Sequence, residues 1–306
     1  VESSSTTSAA GHIPAPPRRP VAHRFASELA RVAALDPPAE RLLGLLGNAL
    51  RPGALRDALS GTPLGHALHP LLTDLPIGAW TSATILDATG GGASAPAARR
   101  LIGVGILAAL PTAASGWVEW GDSAKARPAT RRVGLVHAAA NVAALTLYGA
   151  SYLRRRGGHG GRALAFAGAG ALAVGGHLGG HLAYVHGEGV AETTFEDGPR
   201  EWVPTVPLAE LTDGRMTCVE AAGVPVLLVL RDGVAYALAN RCTHRGGALH
   251  EGELEGDRVV CPLHGSRFAL DAAVVERGPA ASPQPAYETR VRDGRVEVRQ
   301  STDPTP

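Results

Sequence analysis

Two textures of hydrophobic patterning divide this chain. Residues 101–118, 133–153 and 163–187 contain no Asp, Glu, Lys or Arg over 18, 21 and 25 positions. Each run is long enough to cross a bilayer as a helix. A weaker run over 71–91 carries Asp74 and Asp87 near its ends. Counted as a fourth span it completes an α-helical membrane bundle of about four transmembrane helices; the alternative is a re-entrant or buried helix. Pro76 is expected in the first turn of that helix, where proline is tolerated, and Pro111 predicts a kink in the next. From about Trp202 the period changes to two. GVPVLLVLRDGVAYALAN (223–240) alternates around Asp232–Gly233, a hairpin signal. DRVVC, RFALD and TRVRDGRVEVR add short strands, with a second Asp-Gly turn at 293–294. Short strands separated by Gly and Pro predict an all-β sandwich of about 100 residues.

The rest of the chain falls around these two units, expected at 61–187 and 202–300. Residues 1–20 are polar and Pro-rich, with no apolar stretch after a charged start, so they predict a disordered tail rather than a secretory signal. Residues 21–60, including LLGLLGNALR, predict one or two amphipathic helices broken at Pro37–Pro38 and Pro52. The acidic stretch GEGVAETTFEDGPRE (187–201) marks the boundary, with the linker proper at 188–201. Its fifteen residues reach at most about 50 Å extended and roughly 20 Å as a coil, so the β unit stays near one membrane face. Residues 301–306 read as a second tail.

Charge refines this picture. A net charge of +1 gives no field for nucleic acid. With four spans, the amino terminus and the β unit share one side of the membrane. Near the spans that side has Arg51, Arg56, Lys125, Arg127, Arg131, Arg132 and Arg200, against Arg99, Arg100, Arg154, Arg155, Arg156 and Arg162 opposite. Seven against six does not orient the protein. Further arginines at 18, 19, 24, 31 and 41, with the missing secretory signal, favour placing the β unit on the cytoplasmic side of a multi-pass plasma-membrane protein.

The polar residues of the bundle gather at the end next to the β unit: His66, His69 and Asp74, Glu119, His137 and Asn141, and His177 with His181 one turn apart. Polar groups at membrane depth are costly and suggest a site. Three readings are open: haem b or a metal held by imidazoles, with His137 and one of His177 or His181 as the leading pair; a quinone pocket; or interhelical hydrogen bonds with nothing bound. The glycine pairs Gly175/Gly179 and Gly176/Gly180 allow close helix approach. PLGHALHPLLTDLPIGAW (63–80) resembles a family of uncharacterised prokaryotic membrane domains carrying G-H-x-x-H-P-x-x-x-x-x-P-x-G-x-W. This resemblance implies a membrane domain with important histidines over about 60–190.

The sharpest chemistry is in the β unit. Of three cysteines, too few for a disulfide framework, Cys218 is expected to be a small buried strand residue. The other two stand in Cys242-x-His244 and Cys261-x-x-His264, sixteen residues apart. Two Cys and two His suit tetrahedral zinc or a mixed-ligand iron–sulfur cluster. Zinc fingers usually pair Cys with Cys and His with His, whereas here each loop supplies one of each. CTHRGG and CPLHGSRF resemble the two cluster-binding loops of Rieske [2Fe–2S] proteins, a likeness covering about 202–300. It implies Cys242 and Cys261 on the inner iron, His244 and His264 on the outer iron, and Ser266 as a hydrogen-bond donor to a cluster sulfur. His250, between the loops, is expected to be a surface residue.

The Rieske proteins of quinol–cytochrome c oxidoreductases add a disulfide and a tyrosine at positions held here by Gly247, Leu263 and Phe268. The chain therefore resembles the ferredoxin type, with a potential expected near the low end of the Rieske range. A second histidine pair with a carboxylate, as oxygenases use, is not apparent, and no G-x-G-x-x-G follows a strand. Three functions follow. The first is a membrane-anchored electron carrier relaying between the cluster and a haem, metal or quinone site. The second is an anchored ferredoxin serving a separate oxygenase. The third is a ligand transporter or sensor with a redox-sensing cluster. The expected partners are the lipid bilayer and an electron donor and acceptor, protein or quinone.

Overall fold

The computed structural model describes residues 20–47 and 51–301. Apart from Pro20 and Ser301, the tails expected at 1–20 and 301–306 lie outside the described residues, as does the 48–50 part of LLGLLGNALR.

The amino-terminal segment forms three helices, α1 (Val21–Leu29), α2 (Asp36–Leu46) and α3 (Ala54–Ser60). Pro37 and Pro38 start α2 instead of breaking a helix, because the first turn needs no backbone N–H. Asp36 anchors α2 by accepting Arg132 Nε at 2.9 Å and Arg131 Nε at 3.1 Å.

Four longer helices make the bundle: α4 (Leu68–Thr89), α5 (Ala95–Ala126), α6 (Pro128–Arg156) and α7 (Arg162–Tyr184). Consecutive helices pack on one another, and α7 closes back on α4. Three, α5 to α7, are long and apolar enough to cross a membrane. The fourth, α4, is diluted by His69, Thr73, Asp74, Thr81, Ser82 and Thr84. In the bundle centre Trp80 stacks on Tyr148 with centroids 4.5 Å apart. Gly105 makes room for it, since a Cβ there would lie 2.3 Å from Trp80 Nε1. At the end far from the β domain, buried Asp87 accepts Arg155 Nη1 at 2.9 Å.

Two expectations about the helices need correction. Because α4 begins at Leu68, Pro76 lies in its interior. The carbonyl of Leu72, which would have received the missing N–H, instead accepts Thr112 Oγ1 from α5 at 3.0 Å. The segment 119–132, left between two spans by the apolar runs 101–118 and 133–153, is helical except at Arg127, whose extended backbone (φ −126°, ψ 97°) is what the following Pro128 requires. At about 1.5 Å per residue, α5 is about 48 Å long. Its last two turns, from Glu119, therefore project beyond the apolar run.

The β domain is built from antiparallel strands in two sheets. The six-stranded sheet has the order β1-β10-β9-β4-β3-β2, from β1 (Val203–Pro207), β2 (Met216–Ala221), β3 (Val224–Arg231), β4 (Val234–Ala239), β9 (Ala286–Arg292) and β10 (Arg295–Gln300). The four-stranded sheet runs β5 (Glu253–Glu255), β6 (Arg258–Val260), β7 (Arg267–Ala269), β8 (Val275–Arg277). Both Asp-Gly turns form two-residue hairpin loops with positive φ at each residue, 51° and 81° at 232–233 and 48° and 74° at 293–294. One core lies on β2, β3, β4, β9 and β10. A second, around Phe268, Leu249 and Leu227, backs the cysteines. Cys218 is exposed, not buried. On β2, Val219 and Ala221 face the core, so strand alternation turns Cys218 outward.

Candidate metal centre

The two Cys-His segments are loops of the same construction. In the first, Cys242 N–H donates to Gly247 O at 2.9 Å and Gly246 N–H to Cys242 O at 2.9 Å. In the second, Cys261 N–H donates to Ser266 O at 2.8 Å and Gly265 N–H to Cys261 O at 3.0 Å. Each ring closes through a left-handed glycine four residues after its cysteine, φ 71° at Gly246 and 75° at Gly265. That conformation is costly for any residue with a Cβ. The loops follow β4 and β6, which places the cysteines side by side on the second core.

A third segment, 278–285, braces both loops. Gln284 is fully buried. It accepts Thr243 N–H at 3.1 Å and donates to the carbonyls of Ala239 at 2.8 Å and Arg241 at 2.5 Å. Ala280 N–H donates to Ser266 Oγ at 3.0 Å, which leaves the serine's own proton available. Leu263 packs against Gly247, where a Cβ would come 2.9 Å from Leu263 Cγ and 3.0 Å from Cys261 Sγ. An apolar contact thus stands between the two loops at this point. His250 accepts local support from Asn240, which receives its backbone N–H at 3.0 Å.

The four side chains converge as electron-rich donors. The thiols share a hydrogen bond. That bond, with the amides of Leu263 and His264, brings Cys261 down to about 7, while Cys242, which keeps the shared proton, rises well above the usual thiol value. Burial pushes His244 well down, aided by Arg245, and burial also lowers His264, which favours the neutral form of both imidazoles. Their ring centroids are 4.9 Å apart at 84°. Nδ1 of each is buried without a hydrogen-bond partner. Two orphaned imidazole nitrogens beside two hydrogen-bonded thiols fit a binuclear cluster with two ligands on each iron.

Comparison with known proteins agrees with this geometry. Residues 201–288 match the Rieske [2Fe-2S] domain. Ferredoxin CarAc of Metapseudomonas resinovorans is 32% identical over 98 residues, 32% of this chain and 92% of that protein. The chain belongs to the Rieske [2Fe–2S] family. The ferredoxin component of the naphthalene 1,2-dioxygenase system of Pseudomonas putida is 29% identical over 98 residues, 32% of this chain and 94% of its own. Among solved structures, the ferredoxin of carbazole 1,9a-dioxygenase from Nocardioides aromaticivorans IC177 is 26% identical with a TM-score of 0.32, covering 33% of this chain and 98% of that one. Residues 65–192 match the family described as "Predicted membrane protein (DUF2231)".

The Rieske loops face the bundle. Thr62 Oγ1 donates to Ala280 O at 2.9 Å and Ser282 Oγ to Gly65 O at 3.3 Å. Arg277 approaches Asp57 at 3.6 Å. The protruding end of α5 carries Glu119 and Asp122 to the first loop, lining a cleft with Thr243, His244 and Arg245. The acidic stretch after α7 is a pinned strap, not a free coil. Glu188 pairs with Arg245 at 2.8 Å, and Glu192 joins Arg127 at 2.5 Å to Arg241 at 2.6 Å. Sequence reasoning missed Asp122, Arg56, Gln284 and this strap. The available signal was Glu119-x-x-Asp122, one helical turn apart just after an apolar run.

The bundle histidines do not meet as expected. His137 donates Nδ1–H to Gly175 O at 2.8 Å and lies 6.5 Å, ring to ring, from His69. His69 donates its Nδ1–H to Thr112 O at 2.9 Å. Gly175 and Gly179 form the α7 face that receives His137. His177 and His181, two positions further on, are about 200° around the helix from it. His181 packs instead between His23 and His186, at 5.5 and 5.0 Å. His177 is exposed and bonds Ala22 O at 3.1 Å, and His66 is exposed. Among the described residues no three of these side chains converge as a single metal ion would need.

Proposed function

We propose that this protein is a membrane-anchored Rieske electron carrier that exchanges electrons with a redox site in its own helical bundle. In this reading Cys242 and Cys261 hold one iron of the cluster, and His244 and His264 hold the other through Nδ1. Ser266 donates to a cluster sulfur. When bound, the cluster supplies one-electron storage. The protein's own part is to fix the donors, exclude water from the inner face and aim the His244 edge at the bundle. The observation that carries the reading is that aim: His244 Nε2 lies 3.5 Å from Asp122 Oδ2 on α5. Two to three turns down the same helix, roughly 10–15 Å, Ser115 and Thr112 hold His69 beside His137.

Both of those histidines spend their Nδ1 protons on carbonyls. His69 keeps an Nε2 lone pair, the arrangement in which imidazoles bind haem or metals or accept from a quinol, whereas His137 Nε2 accepts Asn141 Nδ2 at 3.2 Å and would have to exchange that bond for a ligand. His69 and His137 are the residues we assign to the second site, in place of His137 with His177 or His181. The Rieske domain sits on the cytoplasmic face of a prokaryotic plasma membrane.

An optical spectrum of the detergent-purified protein tests the haem form. A Soret band with reduced α-bands, lost in His69→Ala and His137→Ala, supports it. Broad cluster absorption alone, with no quinone extracted, removes the relay. A second reading then applies, favoured by the relatives named as dioxygenase ferredoxin components and by Leu263, which is 53% exposed beside His264. There the bundle anchors a ferredoxin that serves a separate oxygenase.

A further inference from the structure

Asp122 is an unusual residue to find at the edge of a membrane domain. It is 2% exposed, and its Oδ1 accepts Arg56 Nη2 at 2.5 Å, from a guanidinium that is itself 5% exposed. Its other oxygen, Oδ2, is buried without a hydrogen-bond partner. A buried carboxylate oxygen left unpaired is costly, and native folds rarely keep one without a reason. That oxygen faces His244 Nε2 at 3.5 Å, and the His244 side chain is 12% exposed. Once the Nδ1 lone pair of a neutral imidazole is given to iron, the ring's proton is on Nε2, the atom turned toward Asp122.

We propose that Asp122 is a positioning residue for the cluster: Oδ2 accepts the Nε2–H of His244 when iron is bound, and the Asp122–Arg56 pair sets how readily the cluster takes its electron. A carboxylate behind a ligand imidazole fixes the ring and raises its basicity. It also places negative charge beside a centre that becomes more negative on reduction, which disfavours the reduced form. Arg56, on the far oxygen, opposes this with positive charge in the same low-dielectric site. The membrane domain thereby tunes the Rieske centre. The proposal requires that His244 bind the cluster and is independent of any second redox site in the bundle.

The test is an EPR-monitored redox titration, at one pH, of the full-length protein in detergent. The variants are Asp122→Asn, Arg56→Gln and the two together. Asp122→Asn should shift the midpoint to more positive potential and alter the g-values of the reduced cluster. Arg56→Gln should shift the midpoint to more negative potential. The double variant should fall between wild type and Asp122→Asn. Opposite signs are the decisive result, because general loosening of the interface would move both single variants the same way. Equal midpoints in wild type and both single variants, or shifts of the same sign, overturn the proposal. If Asp122→Asn fails to assemble its cluster, wild-type midpoints in Arg56→Gln and in the double variant overturn it as well.

Discussion

His244 and His264 sit on loops whose backbones are closed by paired hydrogen bonds through a left-handed glycine. His69, His137 and His181 sit on helices, where only the rotation of each helix decides what a side chain faces. In each loop, bonds within six residues set the backbone that presents the ligands. In the bundle, two positions along α7 separate a glycine that receives His137 from a histidine that points elsewhere. A site written into a short segment survives changes around it. A site assembled from several helices depends on all of them.

The largest expected effect separates these regions outright. Cys242→Ser or Cys261→Ser should abolish the reduced-cluster EPR signal, while His69→Ala and His137→Ala should leave it at full intensity. Loss of the signal in either bundle variant would mean that the regions are not independent. Next, Gln284→Ala removes the brace common to the first loop and the sheet. With three buried hydrogen bonds lost at about 1 kcal/mol each, thermal loss of the visible cluster absorption should come at least 10 °C earlier, since about 1 kcal/mol shifts a domain of this size by roughly 4–8 °C. Thr112→Val, which unpairs only the Leu72 carbonyl in α4, should cost about 1 kcal/mol and leave that absorption transition unchanged.

Smaller still is Phe268→Tyr. The phenyl ring is fully buried in the core behind the cysteines. A hydroxyl there that reaches a cluster sulfur should raise the midpoint in a redox titration, with no change in iron content. An unchanged midpoint would mean that the hydroxyl points into the core. The wild-type midpoint itself should lie below about +200 mV, within the Rieske range.

The smallest effect lies on the helical side. Asp36 is held down to about 2 by its hydrogen bonds with Arg132 and Arg131. A carboxyl depressed in the folded state adds stability that is present above its ordinary value near 4 and is lost as pH falls through 2. Limited proteolysis with an acid-active protease should therefore cut the α1–α2 segment increasingly between pH 4 and pH 2. In Asp36→Asn the cutting should already be at its maximum at pH 5.

What was legible in the sequence follows the same division. The two-period strands, both Asp-Gly hairpins and the paired Cys-His loops were readable because each is decided within a few residues. The bundle was readable as apolar length, but not as a set of pairings. The expected pairing of His137 with His177 or His181 does not form, because Gly175 and Gly179, visible in the sequence as a helix-contact pair, define the face that α6 occupies, and neither histidine is on it. Asp122 was hidden by the assumption that α5 ends with its apolar run. Pro128, which delays the break to Arg127, was the clue. Gln284 had no local signal at all, since its partners are about forty residues away.

The strap after α7 also sets a search volume. Released from Arg127, Arg241 and Arg245, a tether of fifteen residues would let the Rieske domain sweep up to about 50 Å from its anchor. It would still hold the domain at an effective concentration in the millimolar range over the membrane face. Re-docking is then intramolecular and independent of protein concentration. The strap's carboxylates are mostly buried, with Glu188 and Glu192 at 10% and 11% exposure, so salt screens these pairs much less than surface pairs. Release of the domain would therefore depend on breaking this buried network more than on ionic strength or on the abundance of a partner.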